Sequence, residues 1–143
     1  MPDLKWDHEL ARVAQRWADQ CLNGRDKCRS VARFYVGQNR GWSWRNKPGG
    51  ARDWTRRAVG RWFHGELPFF RQKDLVFRRG KDPATGRPIG HMTQVIWAAT
   101  TRIGCGFTNQ RFGTWVMRSY FCNSGPGGNI LNQGIYQRDQ ILP

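Results

Sequence analysis

No stretch of the chain approaches the ~18 consecutive apolar residues that a membrane-spanning helix needs. The four cysteines include no C-x-x-C pair, which argues against a zinc ribbon or a thioredoxin-type site. No G-x-S-x-G is present to mark a serine nucleophile. No N-x-S/T acceptor for glycosylation occurs. The first residues, MPDLKWDHEL, contain no apolar h-region, so no signal peptide is expected in this chain. Internal repeats and linker-like stretches are also missing. Acidic residues are scarce: 10 Asp and Glu stand against 24 Lys and Arg, for a formal charge of +14.

At 143 residues the chain suits one domain with one sizeable core. Eight Trp, eight Phe and three Tyr supply its volume and argue against disorder. Nineteen of the 24 basic residues are arginine, a composition that attracts polyanions and offers bidentate geometry to phosphate or sulfate. The alternative is a solvated basic surface with no dedicated partner, because the cations are scattered apart from Arg56-Arg57 and Arg78 to Lys81. No nucleic-acid-binding module is recognisable. The aromatic residues are read as core rather than as stacking platforms.

The clearest element is a helix in WDHELARVAQRWADQC. Leu10, Val13, Ala14, Trp17, Ala18 and Cys21 recur on one face, Asp7 is its expected N-cap, and Asn23-Gly24 ends it. Residues 40–50, rich in Gly and Pro, read as loop. A second helix is expected over about 51–63, with Trp54, Ala58 and Trp62 on one face. Residues 71–90 read as a long basic surface loop. A short helix follows His91, with Met92, Val95, Ile96 and Ala99 at helical spacing. TRIGCGFT and TWVMRSYFC then read as two strands joined by a polar loop containing NQRFG. Cys105 and Cys122 lie on these strands, within bridging distance in principle. The tail GPGGNILNQGIYQ reads as turn followed by extended chain.

Four blocks, in order and spanning about residues 6 to 136, resemble one family. GHMTQVIWAATTRIGCG resembles the GHxTQxxW…VGCG signature of the CAP proteins: cysteine-rich secretory, antigen 5 and pathogenesis-related proteins. WDHELARVAQRWADQC, CRSVARFYVGQN and FCNSGPGGNILNQGIY resemble the family's helix, VGEN or VGQN loop and C-terminal block. Gln38 and GPGGN are most similar to the insect antigen 5 branch. The resemblance implies an α+β fold, a three-layer α/β/α sandwich with a small antiparallel sheet between helices. It also implies that residues 1–143 form a single CAP (SCP) domain lacking the family's signal peptide and N-terminal helix, with apolar surface exposed where that helix would pack. A Cys105–Cys122 disulfide fits the family pattern. Cys21 and Cys28 match cysteines that pair with N-terminal partners in antigen 5 proteins; here they are expected to be free or paired with each other.

The family builds a polar cavity from two histidines and two acidic residues, which in some members holds a divalent metal. Carried over residue by residue, His91 matches one histidine. The other falls on Arg25. The acid of the GEN loop falls on Gln38. The helix acid falls on Gly65, with Glu66 one step later as a substitute if the helix end is shifted. Arg25 would place a permanent cation where a ligand belongs, so no metal and no other cofactor is expected. His64 reads as an exposed helix-end residue and His8 as a surface residue of the first turn. No nucleophile motif accompanies His91, so it reads as a hydrogen-bonded frame residue, bonded to Gln38 or Glu66, rather than a catalyst. The resulting expectation is an extracellular, non-enzymatic binding protein. Its candidate partners are sterols or fatty-acyl lipids in an apolar groove between helices, a host protein target, and sulfated glycans on the basic surface. The competing expectations are a CAP-type metal-dependent hydrolase and a polyanion-binding module.

Overall fold

The computed structural model describes residues 3–46, 51–71 and 75–136. In chain order its elements are β1 (Lys5–Trp6), α1 (His8–Asp19), β2 (Gly37–Arg45), α2 (Ala51–His64), a 3-10 turn (Leu67–Phe69), α3 (Gly90–Val95), β3 (Arg102–Phe112) and β4 (Trp115–Gly125). The strands form one sheet in the order β1-β3-β4-β2.

Strand alternation sorts the sheet into two faces. On one, Phe121 packs with Ala14, Ala18 and Trp17 of α1. On the other, Tyr120, Cys122, Cys105 and Ile103 pack with Ala58 and Trp62 of α2 and Val95 of α3. The expected α/β/α sandwich follows, with α1 below the sheet and α2 and α3 above it. Gly104 and Gly106 allow the close approach of α1: a Cβ on Gly104 would meet the backbone of Leu10 and Ala11, and one on Gly106 that of Ala14 and Gln15. Gln15 then clips the helix to β3, accepting from Phe107 N (3.0 Å) and donating to Phe107 O (2.9 Å).

α1 begins where its cap predicts. Asp7 is extended and its carboxylate accepts from Leu10 N at 3.0 Å. Arg33, from the loop before β2, donates to both Asp7 oxygens at 2.9 Å and also to Glu9, tying that loop to the start of the helix. The Arg33 hydrogen bond, with help from Leu10 N and the nearby charges of Arg33 and Arg102, holds the Asp7 carboxyl down at about 2.

Several local expectations are corrected. The sheet is mixed, because β1 pairs with β3 in parallel while the other pairs are antiparallel. Residues 40–45, expected as loop, continue β2, since nine consecutive residues of it find partners on β4 from Gly37↔Ser124 to Arg45↔Val116. Pairing to a central strand outweighs the local Gly-Trp-Ser-Trp signal. Asn109 to Phe112, expected as connecting loop, belong to β3, leaving Gly113-Thr114 as the turn. His91 lies inside α3 rather than before it, and the helix stops at Val95, short of Ala99. The long basic stretch is irregular as expected, pinned by a bridge between Val76 and Gly134 and by the small Phe77–Trp97–Ile135 cluster. Residues 47–50 and 72–74 of the two expected loops, and Gln137 of the tail, lie outside the described residues.

The aromatic residues divide. Trp54, Trp62, Trp97, Phe77, Tyr120 and Phe121 are buried, but Trp6, Trp42, Trp44, Phe107, Phe112 and Trp115 are exposed. The sheet outruns α1, which ends at Asp19, so Trp42, Trp44 and Phe112 on the far part of that face lack helical cover. The expectation that the aromatics are core holds for only part of the set.

Candidate functional site

Register places Cys105 directly opposite Cys122, both on the α2 face, and the two form a disulfide. Cys21 and Cys28 are free and exposed, so they are not paired with each other.

The residues aligned with the family cavity come from four places. Arg25 and Arg29 lie in the loop after α1, Gln38 opens β2, Glu66 follows α2, and His91 is the second residue of α3. Arg25, Gln38 and His91 line one cavity of about 360 Å³, together with Arg29, Tyr35 and Asn129. Glu66 stands behind His91 rather than in the cavity lining.

α2 ends at His64, and Gly65 N and Glu66 N donate back to Arg61 O and Phe63 O. That last turn buries Glu66 under α3. One carboxylate oxygen accepts from His91 N and Met92 N, both at 2.9 Å; the other meets His91 Nδ1 at 2.6 Å. Glu66 therefore serves two tasks. It satisfies backbone donors at the start of α3, which has no capping side chain of its own, and it fixes the imidazole so that only Nε2 remains for anything else. Trp62 stacks parallel to the imidazole, 6.2 Å between centroids, and donates its indole N–H to Arg40 O.

Gln38 does not bond His91. Its carbonyl accepts from Asp26 N and its amide donates to Asn123 Oδ1, both at 2.9 Å, deep in the core. Of the two partners expected for His91, Glu66 is the one in contact. His91 O instead accepts from Asn39 Nδ2 at 3.0 Å. Gly65 contributes no ligand, and Glu66 occupies the helix-end role. His8 and His64 are exposed and remote from this cavity's lining.

The donor set does not fit a zinc ion. Among the described residues of the lining His91 is the single imidazole, no carboxylate joins it, and the Arg25 guanidinium has no lone pair to offer. Among the described residues no three His, Cys, Asp or Glu side chains gather. Nor, among them, does a hydroxyl or thiol hydrogen-bond His91 in the way an activated nucleophile would.

Sequence reasoning missed Arg29 and Asn129. Arg29 Nε and Nη1 donate to Val36 O (2.8 Å) and Asp26 O (2.6 Å). Asn129 accepts from Thr93 Oγ1 (2.6 Å) and donates to Gly90 O (2.7 Å), locking the tail to α3. Arg29 lay inside the CRSVARF block and Asn129 inside GPGGN, but nothing local marks either as a cavity residue.

An α/β/α sandwich with a polar cavity between the opening of β2 and the opening of α3 is the architecture seen here. The profile of the Cysteine-rich secretory protein family, CAP, matches residues 1–132. The chain belongs to that family, on its venom-allergen, antigen 5-like side. It is 41% identical over 140 residues to the venom allergen 3 homolog of Dinoponera quadriceps, an alignment covering 98% of this chain and 58% of that protein. It is 39% identical to venom allergen 5 of Brachyponera chinensis, covering 96% and 67%. The chain thus spans about three-fifths of the first of these relatives. Among solved structures, BmVAL-1 superposes with a TM-score of 0.76 at 28% identity, over 94% of this chain and 64% of that one. The crystal structure of NaASP2 with Zn2+ gives 0.73 at 27% identity, over 94% and 65%. No helix among the described residues is long and apolar enough to cross a membrane.

Proposed function

We propose that this chain is an extracellular, non-enzymatic binding protein of the antigen 5 type whose cavity does not hold zinc. One observation carries the reading: the cavity offers a single imidazole, already tied to Glu66, and sets the Arg25 cation in the same lining. A metal entering there would meet one nitrogen donor and like-charge repulsion. The same poverty of donors and the absence of a nucleophile beside His91 speak against the metal-dependent hydrolase. An apolar cavity of about 330 Å³ between α2 and the sheet, lined by Trp54, Ala58, Val59, Phe107 and the Cys105–Cys122 bridge, supports a lipid or sterol ligand. Gln15 of α1 also reaches its lining, beside the α2 residues and the sheet. A host protein target and sulfated glycans on the arginine-rich surface remain candidate partners. Zinc titration by calorimetry tests the central claim. The unmodified chain is expected to give no submicromolar site, and Arg25→His with Gln38→Glu is expected to gain affinity. Submicromolar binding in the unmodified chain, abolished by His91→Ala, would overturn it.

A further inference from the structure

The hydrogen bonds of the cavity wall show what it has left to offer. The Gln38 amide is used by Asp26 N and Asn123, Asn39 Nδ2 by His91 O, and Asn129 by Thr93 and Gly90. Gln94 accepts from Gly128 N and donates to Thr100. The amides are therefore spent inside the protein.

The arginines are not. Arg25 has no hydrogen bond or ion pair among the described residues, and its side chain is exposed. Arg29 uses Nε and Nη1 on main-chain carbonyls and keeps Nη2. Two carbonyls hold its guanidinium in place, so little rotamer freedom remains to be lost on binding. No acidic residue is among the described residues that line the cavity. Two carboxylates outside the lining bond to other groups: Glu66 to His91 and Met92, and Asp26 through Oδ1 to Cys28 N at 2.7 Å. An adjoining cavity, sharing Phe77, adds Arg78, Arg79 and Lys81; its one acid, Asp82, is buried and bonded to Thr85.

We infer that this cavity is a metal-free oxyanion site in which Arg25 and Arg29 together bind a sulfate or phosphate group. The inference rests on the preceding reading of the cavity as a place without metal. Guanidinium groups match tetrahedral oxyanions with paired, charge-assisted hydrogen bonds, and no carboxylate is among the described lining residues. The free ion and an ester carried on a larger molecule present the same oxygens to these two side chains. The cation that spoils the cavity for zinc is the one that recruits the anion.

The test is an NMR titration of the isotope-labelled full chain with sodium sulfate and sodium phosphate, against sodium chloride at matched ionic strength. Glucose 6-sulfate and glycerol 3-phosphate form the ester arm. Saturable shifts at the amides of Gly90, His91 and Asn129 are expected. Arg25→Gln is expected to weaken binding about tenfold, the size of one lost charge-assisted contact. Arg25→Lys should fall in between, and Arg111→Gln, far off on the β3–β4 hairpin, should change nothing. Ester binding tighter than that of the free ions identifies a carried group; equal or weaker binding identifies the free anion. Equal loss in the Arg25 and Arg111 variants, or shifts no larger than with chloride, would overturn the inference and leave diffuse surface charge. Repeating the titration with zinc separates the two readings. No sulfate binding with or without zinc sinks the oxyanion site alone. Sulfate binding that appears only with zinc sinks the metal-free reading as well.

Discussion

Replacing Glu66 by alanine is the severest single test of the site's architecture. The side chain is 8% exposed and accepts from three donors: His91 N, Met92 N and His91 Nδ1. Removing it strands two backbone N–H groups and one ring nitrogen. A stranded buried donor costs about 1–3 kcal/mol. Met92 is buried, so its amide bears the full cost; His91 is 26% exposed at its side chain, so water relieves its ring in part. The expected loss is about 3–5 kcal/mol, a large share of the ~5–15 kcal/mol by which a domain is stable. Glu66→Gln keeps an oxygen for the two backbone donors and loses only the charged contact with the imidazole, so about 1–2 kcal/mol is expected. His91→Ala leaves Glu66 its backbone bonds and should also cost less than Glu66→Ala. Urea unfolding followed by circular dichroism, with the disulfide intact, measures all three. A Glu66→Ala loss below ~1 kcal/mol, or a His91→Ala loss larger than it, would refute the assignment of Glu66 as the anchor of α3.

Two further outcomes follow from contacts elsewhere. Thiol titration of the folded, oxidised protein should count two reactive cysteines, Cys21 and Cys28; joint Cys105→Ser and Cys122→Ser substitution, opening a loop of 17-residue separation, should cost about 3 kcal/mol by chain-entropy arithmetic, and a count of four thiols would refute the pairing. Asp7 is ionised more easily when folded than unfolded, so its pairing with Arg33 stabilises the protein above the ordinary carboxylate range and is lost as pH falls from about 4 towards 2; because Arg33 is partly exposed, the contribution is on the order of 1 kcal/mol, and Asp7→Asn should flatten the acid limb of the stability curve by about that amount.

The helices and the β3–β4 hairpin were legible because each has a strong local signal. Asp7 caps a clean apolar stripe, Trp54, Ala58 and Trp62 repeat at helical spacing, and the two cysteine-bearing segments alternate. β2 was not legible as a strand at all, because GQNRGWSWR has too many small and polar residues to announce one, and only the register with β4 makes it one. The parallel β1 of two residues owes its existence to Lys5 N donating to Thr101 O and Asp7 N to Ile103 O, contacts 96 residues apart that no local window contains. In the site, motif positions located Arg25, Gln38, Glu66 and His91, but not who touches whom. Gln38 is drawn into the core by Asn123, a residue 85 positions away. Glu66 reaches His91 only because the chain turns once more past His64.

This arrangement separates a frame from an opening. Glu66, His91 and Trp62 form a stack that joins the end of α2 to the start of α3, held by both Glu66 oxygens, the imidazole Nδ1 and the indole N–H. A carboxylate holding Nδ1 of a histidine is the same contact that, beside a metal, would orient a ligand and raise its basicity. Here the contact is made while the same lining presents Arg25 instead of a second donor. The hydrogen bond therefore serves α3, whose first amides it satisfies, and does not depend on any metal for its reason to exist. In the proposed oxyanion site, the cation that makes the difference, Arg25, carries little of the fold. Arg25, exposed and without a bond among the described residues, can be exchanged at almost no structural cost, whereas Glu66 cannot. A variant series at Arg25 should thus move ligand preference without moving stability, and one at Glu66 should do the reverse.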